Sequence, residues 1–168
     1  MQEPTENCLF NSIFDGVDLK HYSDTLFLDR DGVINVLRKE DYVKNWDEFE
    51  FRKEFFGLFK KFGRFFKRVI VVTNQRGVGR GLMTEDALLQ IHVRMCSEIE
   101  RAGGRIDKIY YCTSTDASHP CRKPNVGMIE QAKRDFPDID LSRSIMLGDS
   151  DSDMKFAQNA GILGIKIK

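Results

Sequence analysis

The chain has 168 residues, enough for one domain around one core and too few for a second independent domain. Apolar residues make up 41%, and 26 basic residues balance 26 acidic ones, so the composition is globular and lacks the positive surplus that broad capture of nucleic acid or acidic membrane requires. Four cysteines are too few for a stapled secreted scaffold, no segment approaches the ~20 apolar residues that span a bilayer, and MQEPTENCLF has no leader-like apolar run, so a cytoplasmic protein is expected.

Residues 1–22 are mixed in character and are expected to form an N-terminal extension packed on or near a domain that occupies 23–168. Thr25 to Leu28 is short and continuously apolar, as a strand covered on both faces would be, and it runs into Asp29-Arg30-Asp31-Gly32. Between Asp47 and Phe66, the residues Phe51, Phe55, Leu58, Phe59 and Phe62 recur at spacings of three and four, which predicts a helix with one buried face, weakened at Gly57 and ended or bent at Gly63. Val69 to Val72 predicts a second strand, with Thr73-Asn74-Gln75 at its end and a loop through Gly77, Gly79 and Gly81.

Thr84 then reads as the N-cap of a helix running to about Arg101 and stopped by Gly103-Gly104. A third strand covers Lys108 to Tyr111, followed by a loop with Cys112, His119, Pro120 and Cys121 and a helix from near Pro124 to before Pro137. Ser144 to Leu147 predicts a fourth strand, Ser150 to Gly161 a short helix, and Leu163 to Ile167 a last strand. This alternation implies an α/β fold: a three-layer, Rossmann-like parallel sheet with helices on both faces.

Ligands of such sheets bind beyond the carboxyl ends of the strands, and the chemistry-bearing residues collect there. Asp29 and Asp31 follow the first strand, Thr73 and Asn74 the second, Arg122 and Lys123 the third, and Asp149 and Asp153 the fourth. Gathered carboxylates repel unless neutralised, and an all-oxygen donor set without histidine favours Mg²⁺ over Zn²⁺. Lys123, the Thr73 hydroxyl and backbone N–H groups near Asp31 and Asn74 could hold the oxygens of a transferring phosphoryl group. Asp29 is then the expected nucleophile and Asp31 the general acid and base. Taken alone, the Asp-x-Asp-Gly run could equally be a turn.

FLDRDGVIN (27–35), VVTNQRGVGRG (71–81), CRKPNVGM (121–128) and MLGDSDSDM (146–154), in this order, resemble the haloacid dehalogenase superfamily of phosphatases. The resemblance implies that Asp29, Asp31 through its carbonyl, and Asp149 hold Mg²⁺. It also implies that Thr73 and Lys123 bind the phosphoryl group and that Asp153 supports the metal shell. The wording is closest to the branch of heptose-bisphosphate and histidinol-phosphate phosphatases, whose members lack a large cap domain. That likeness makes Asn74, Arg80 and Arg122 candidate substrate contacts and a small phosphorylated metabolite the expected partner, for a monomer or small homo-oligomer.

Branch members often carry a structural zinc loop of the form Cys-x-His, spacer, Cys-x-Cys. Here CTSTDASHPCRKP offers only Cys112, His119 and Cys121, with Ser114 in place of the first histidine. Structural zinc normally takes four ligands, so zinc is expected to be absent or dispensable, leaving two free thiols and a surface histidine. Arg76 also departs from the small residue expected after Asn-Gln. A receiver-type phosphoacceptor domain would place its acidic pair and its acceptor aspartate on different strands. A nucleic-acid end phosphatase would need a basic channel. Neither fits the order of residues or the neutral charge.

Overall fold

In the computed structural model, which describes residues 6–168, the apolar runs become five parallel strands. They are β1 (Thr25–Leu28), β2 (Arg68–Asn74), β3 (Lys108–Cys112), β4 (Ile145–Gly148) and β5 (Leu163–Lys166), in the spatial order β3-β2-β1-β4-β5. All four pairings are parallel. β1 lies at the centre and every one of its residues is buried, which is why it reads as apolar without alternation. The edge strands alternate in exposure instead.

Successive side chains of a strand point to opposite faces, so the sheet carries two cores. Leu26, Leu28, Val69 and Val71 share one with Phe55, Phe59, Phe62, Met95 and Ile99. Phe27, Ile70, Val72 and Met146 share the other with Met128, Ile129 and Phe156. The first face is covered by α1 (Glu6–Ile13), α3 (Phe59–Phe65) and α5 (Glu85–Arg101), the second by α6 (Gly127–Asp135) and α7 (Asp151–Ala160); two single-turn helices, α2 (Lys53–Phe56) and α4 (Arg76–Gly79), complete the set. Phe10 and Phe14, from the N-terminal segment, are buried in the first core.

Helix starts follow their caps. Thr84 Oγ1 accepts from Ala87 N at the head of α5, and Ser150 and Asp153 form a reciprocal capping box at the head of α7. Three expectations need correction. The helix expected within Asp47 to Phe66 is a 3-10 turn (Trp46–Glu48), then α2 and α3, with the break at Gly57, where α1 approaches so closely that a Cβ would lie 2.5 Å from Glu6 Oε1. Gly63 sits inside α3 and does not end it, and Phe51 belongs to no helix. Its backbone bridges Asn35 because Glu50 O and Arg52 N bond to Val36 N and Ile34 O. The glycine loop after β2 contains α4, and α6 starts at Gly127, since residues 122–126 are used in turns.

Candidate active site

Parallel register brings the strand tips into one row: Leu28 pairs with Val71 on one side and Leu147 on the other. Asp29, Asp31, Thr73 and Asp149 therefore leave the sheet side by side. Asp29 Oδ1 accepts from Arg30 N at 2.8 Å and lies 3.0 Å from Lys123 Nζ. Lys123 arrives from the loop after β3, almost fully buried, and its Nζ also donates to Asp153 Oδ1 at 2.7 Å. Carboxylate oxygens of Asp29, Asp149 and Asp153 all lie within 4.8 Å of one another.

Two glycines make this crowding possible. Gly32 has φ +84°, and a Cβ there would fall 1.9 Å from Asp149 Oδ2. At Gly148 a Cβ would meet Asp153 Cβ at 2.3 Å. Both close approaches bring an aspartate against the tip of β1 or β4.

Electrostatics divide the site. Burial pushes the Asp29 carboxyl up to about 7; Lys123 opposes this, and repulsion from Asp153 and Asp31 adds to it. Burial and Asp153 likewise raise Asp149. Burial acts against the charge on Lys123, yet Asp29 and Asp153 together hold its pKa above the usual lysine value. Asp31 goes the other way: burial alone would raise it, but Arg30, Asn35 and Gln75 lower it below the ordinary carboxylate range. Arg30 Nη2 and Asn35 Nδ2 donate to Asp31 Oδ1 at 2.9 and 3.0 Å, and Gln75 Nε2 donates to Oδ2 at 2.9 Å. The same Gln75 nitrogen lies 2.9 Å from Thr73 Oγ1, which ties the second strand's hydroxyl to the first strand's second aspartate.

The three candidate substrate contacts stand differently. Asn74 is spent on the backbone of Lys123: its Oδ1 accepts from Lys123 N at 3.0 Å and its Nδ2 donates to Lys123 O at 3.2 Å. Arg80 is exposed at the end of α4, with Nη1 3.3 Å from Tyr42 Oη. Arg122 reaches back along its own loop, donating to Thr115 O at 2.5 Å. Arg30, Asn35, Gln75 and His92 were not singled out from the sequence. Arg30 and Asn35 lie inside the matched FLDRDGVIN block and Gln75 inside VVTNQRGVGRG, so a search of the two blocks for side-chain donors to Asp31 would have found three of the four. His92, midway along α5, carries no such signal.

The free thiols expected in the loop after β3 are corrected. Cys112 and Cys121 are joined by a disulfide, because their Cα atoms stand only 5.6 Å apart across the loop. His119 lies beside them, its Nδ1 accepting from Cys121 N. The bond consumes two of the three candidate zinc ligands.

A parallel α/β sheet that gathers an aspartate pair, a lysine and further carboxylates at its central strand tips belongs to the class of Rossmann-like phosphoryl-transfer proteins. A family model described as HAD-hydrolase-like matches residues 120–168. The chain is 40% identical over 137 residues to the D-glycero-alpha-D-manno-heptose-1,7-bisphosphate 7-phosphatase of Campylobacter jejuni, covering 82% of this chain and 77% of the relative. It is 37% identical over 139 residues to the D-glycero-beta-D-manno-heptose-1,7-bisphosphate 7-phosphatase of Helicobacter pylori, covering 82% and 78%. The crystal structure of the D,D-heptose 1,7-bisphosphate phosphatase from B. bronchiseptica, complexed with magnesium and phosphate, superposes with a TM-score of 0.78 at 32% identity, covering 84% of this chain and 78% of that one. The chain belongs to the haloacid dehalogenase superfamily of phosphatases, in the branch of the heptose-bisphosphate 7-phosphatases. No helix among the described residues is long and apolar enough to cross a membrane.

Proposed function

We propose that the chain is a Mg²⁺-dependent phosphomonoester hydrolase that removes the 7-phosphate of D-glycero-D-manno-heptose 1,7-bisphosphate through an aspartyl-phosphate at Asp29. The observation that carries this reading is the position of Lys123 Nζ, 3.0 Å from Asp29 and 2.7 Å from Asp153, in a cluster that also holds Asp149. Three carboxylates and one ammonium leave two negative charges, the deficit a divalent cation fills, and the donors are all oxygen, which suits Mg²⁺. Asp29, Asp149 and the Asp31 carbonyl would hold it, with Asp153 supporting from the Lys123 side. Bound there, Mg²⁺ supplies neutralisation of the phosphoryl oxygens as their charge redistributes.

The chain's own groups do the rest. Asp29 attacks phosphorus, and the bond from phosphorus to the leaving oxygen breaks. Lys123 Nζ and Thr73 Oγ1 hold equatorial oxygens during transfer. Asp31 takes up the proton of the water that attacks the aspartyl-phosphate, and that proton is the one it gives to the departing alcohol of the next turnover. Lys123 opposes the upward push that burial gives the Asp29 carboxyl. We assign residues 23–168 to the phosphatase domain and 1–22 to an extension, supported by the burial of Phe10 and Phe14 against the first core.

The test is a kcat/KM panel of both anomers of the heptose bisphosphate, histidinol phosphate and common sugar phosphates, with Mg²⁺ and after chelation. The expected result is a maximum on one heptose bisphosphate anomer, abolished by chelation and restored by added Mg²⁺. A maximum on histidinol phosphate or another sugar phosphate would reassign the substrate; release unaffected by chelation would remove the metal from the reading.

A further inference from the structure

Arg30 separates the two aspartates of the β1 tip and is wholly buried. A guanidinium cannot shed its proton, so in such a place it must find acceptors. It has two: Nη2 donates to Asp31 Oδ1 at 2.9 Å, and Nη1 lies 3.2 Å from His92 Nε2, while its Nε is buried without a partner. Because arginine can only donate, the His92 Nε2 atom is the acceptor and the imidazole is neutral with its proton on Nδ1. His92 is itself buried, fixed in the middle of the 17-residue α5, with its ring 6.0 Å from that of Tyr111 on β3.

The geometry points to His92 as a positioning residue for catalysis: by accepting from Arg30, it fixes the guanidinium that sets where the Asp31 carboxylate stands. This rests on the reading of Asp31 as general acid and base. Asp31 is the one carboxylate of the site whose two oxygens are both claimed by side-chain donors on this side of the tip, Oδ1 by Arg30 and Asn35, Oδ2 by Gln75. Asn35 and Gln75 belong to the loops after β1 and β2 and share the local geometry of the tip. Arg30 alone of the three is anchored by its side chain to a separate element, through His92. Without an acceptor at position 92, Nη1 joins Nε as a buried donor with no partner, and the guanidinium turns to find another. The carboxylate it holds then moves off the line from which it reaches the leaving oxygen, where displacement of about 1 Å is costly. Asp29 meets Arg30 only at its backbone N, and neither Asp29 nor Lys123 bonds to the guanidinium or the imidazole, so a change at position 92 leaves the phosphate and metal contacts in place.

The discriminating measurement uses the leaving group. kcat/KM reports transfer to Asp29, the step in which Asp31 protonates the departing oxygen. An alkyl phosphate needs that proton, whereas p-nitrophenyl phosphate, whose leaving group is stable as an anion, hardly does. Asp31→Asn should therefore lose ~10²–10⁴-fold on the alkyl substrate and far less on the aryl one. His92→Phe should lose about tenfold on the alkyl phosphate and about twofold or less on the aryl phosphate, and His92→Gln, which restores an acceptor near Nε2, should return most of the alkyl activity. His92→Leu replaces His92→Phe if the latter does not fold.

Equal losses on both substrates, or no loss, in the acceptor-less variant while Asp31→Asn discriminates would overturn this inference alone. An Asp31→Asn enzyme that falls equally on both substrates would overturn the general-acid reading and this inference with it.

Discussion

Asp29 and Asp31 stand two positions apart on one strand tip, and the site divides between them. On the Asp29 side the neighbours are carboxylates: Asp153 and Asp149 crowd in, and one ammonium, Lys123, serves both Asp29 and Asp153. On the Asp31 side they are donors, the buried guanidinium of Arg30 and the amides of Asn35 and Gln75. Burial acts on both aspartates in the same direction. The first side cannot offset it and Asp29 rises to about 7, while the second overcompensates and Asp31 falls below the ordinary range. The difference teaches how one turn can carry two roles. An excess of negative charge makes a place for a cation and an anion to be transferred; a carboxylate held by donors on both of its oxygens is one that can be aimed.

The hardest blow to the Asp29 side is Asp29→Asn. It removes the proposed nucleophile and one of the negative charges, and turnover should fall by ~10⁴-fold or more with the fold retained, as near-native circular dichroism would show. Undiminished release of phosphate by this variant would mean that the roles of the two sides are wrongly assigned.

Lys123→Met sharpens the same side by stripping its single cation. The carboxylates of Asp29 and Asp153 are then left buried and unpaired, so kcat/KM should drop by ~10²–10³-fold and stability by about 3–5 kcal/mol in denaturant titration. Raised Mg²⁺ should recover part of the stability but little of the activity, because the cation neutralises charge without replacing the ammonium.

A smaller effect probes the Asp31 side through His92, whose pKa is pushed down to about 3 by burial and then by the Arg30 charge. The unfolded chain binds a proton there near 6.5, and the native state does not until about 3. The native state is therefore fully favoured by this group above pH 6.5 and loses that contribution as pH falls toward 3. His92→Gln should flatten the acid limb of the stability curve, by ~2–3 kcal/mol at pH 4.5 relative to the parent. Parallel acid limbs in the two proteins would show that His92 is not held neutral.

The order of elements, the parallel sheet and the five acidic, hydroxyl and ammonium residues at its tips were readable from the chain. Strands buried on both faces must be apolar throughout, and the polar residues that end them then stand out by position alone. Periodicity was weaker where a second segment intruded: Phe51 leaves the expected helix because the backbone around it pairs with Ile34 and Val36, contacts between residues distant in sequence, and α2 gives way to α3 at Gly57. The same limit hid the Asp31 cage, the Asn74 clamp on Lys123 and the Cys112–Cys121 bond. A residue type in a sequence shows what a side chain can donate or accept. Which partner it spends that capacity on is decided by distances across the folded chain, and so the tertiary structure alone could show that Asn74 grips the backbone of Lys123, or that a histidine in mid-helix stands 3.2 Å from the arginine between the two aspartates.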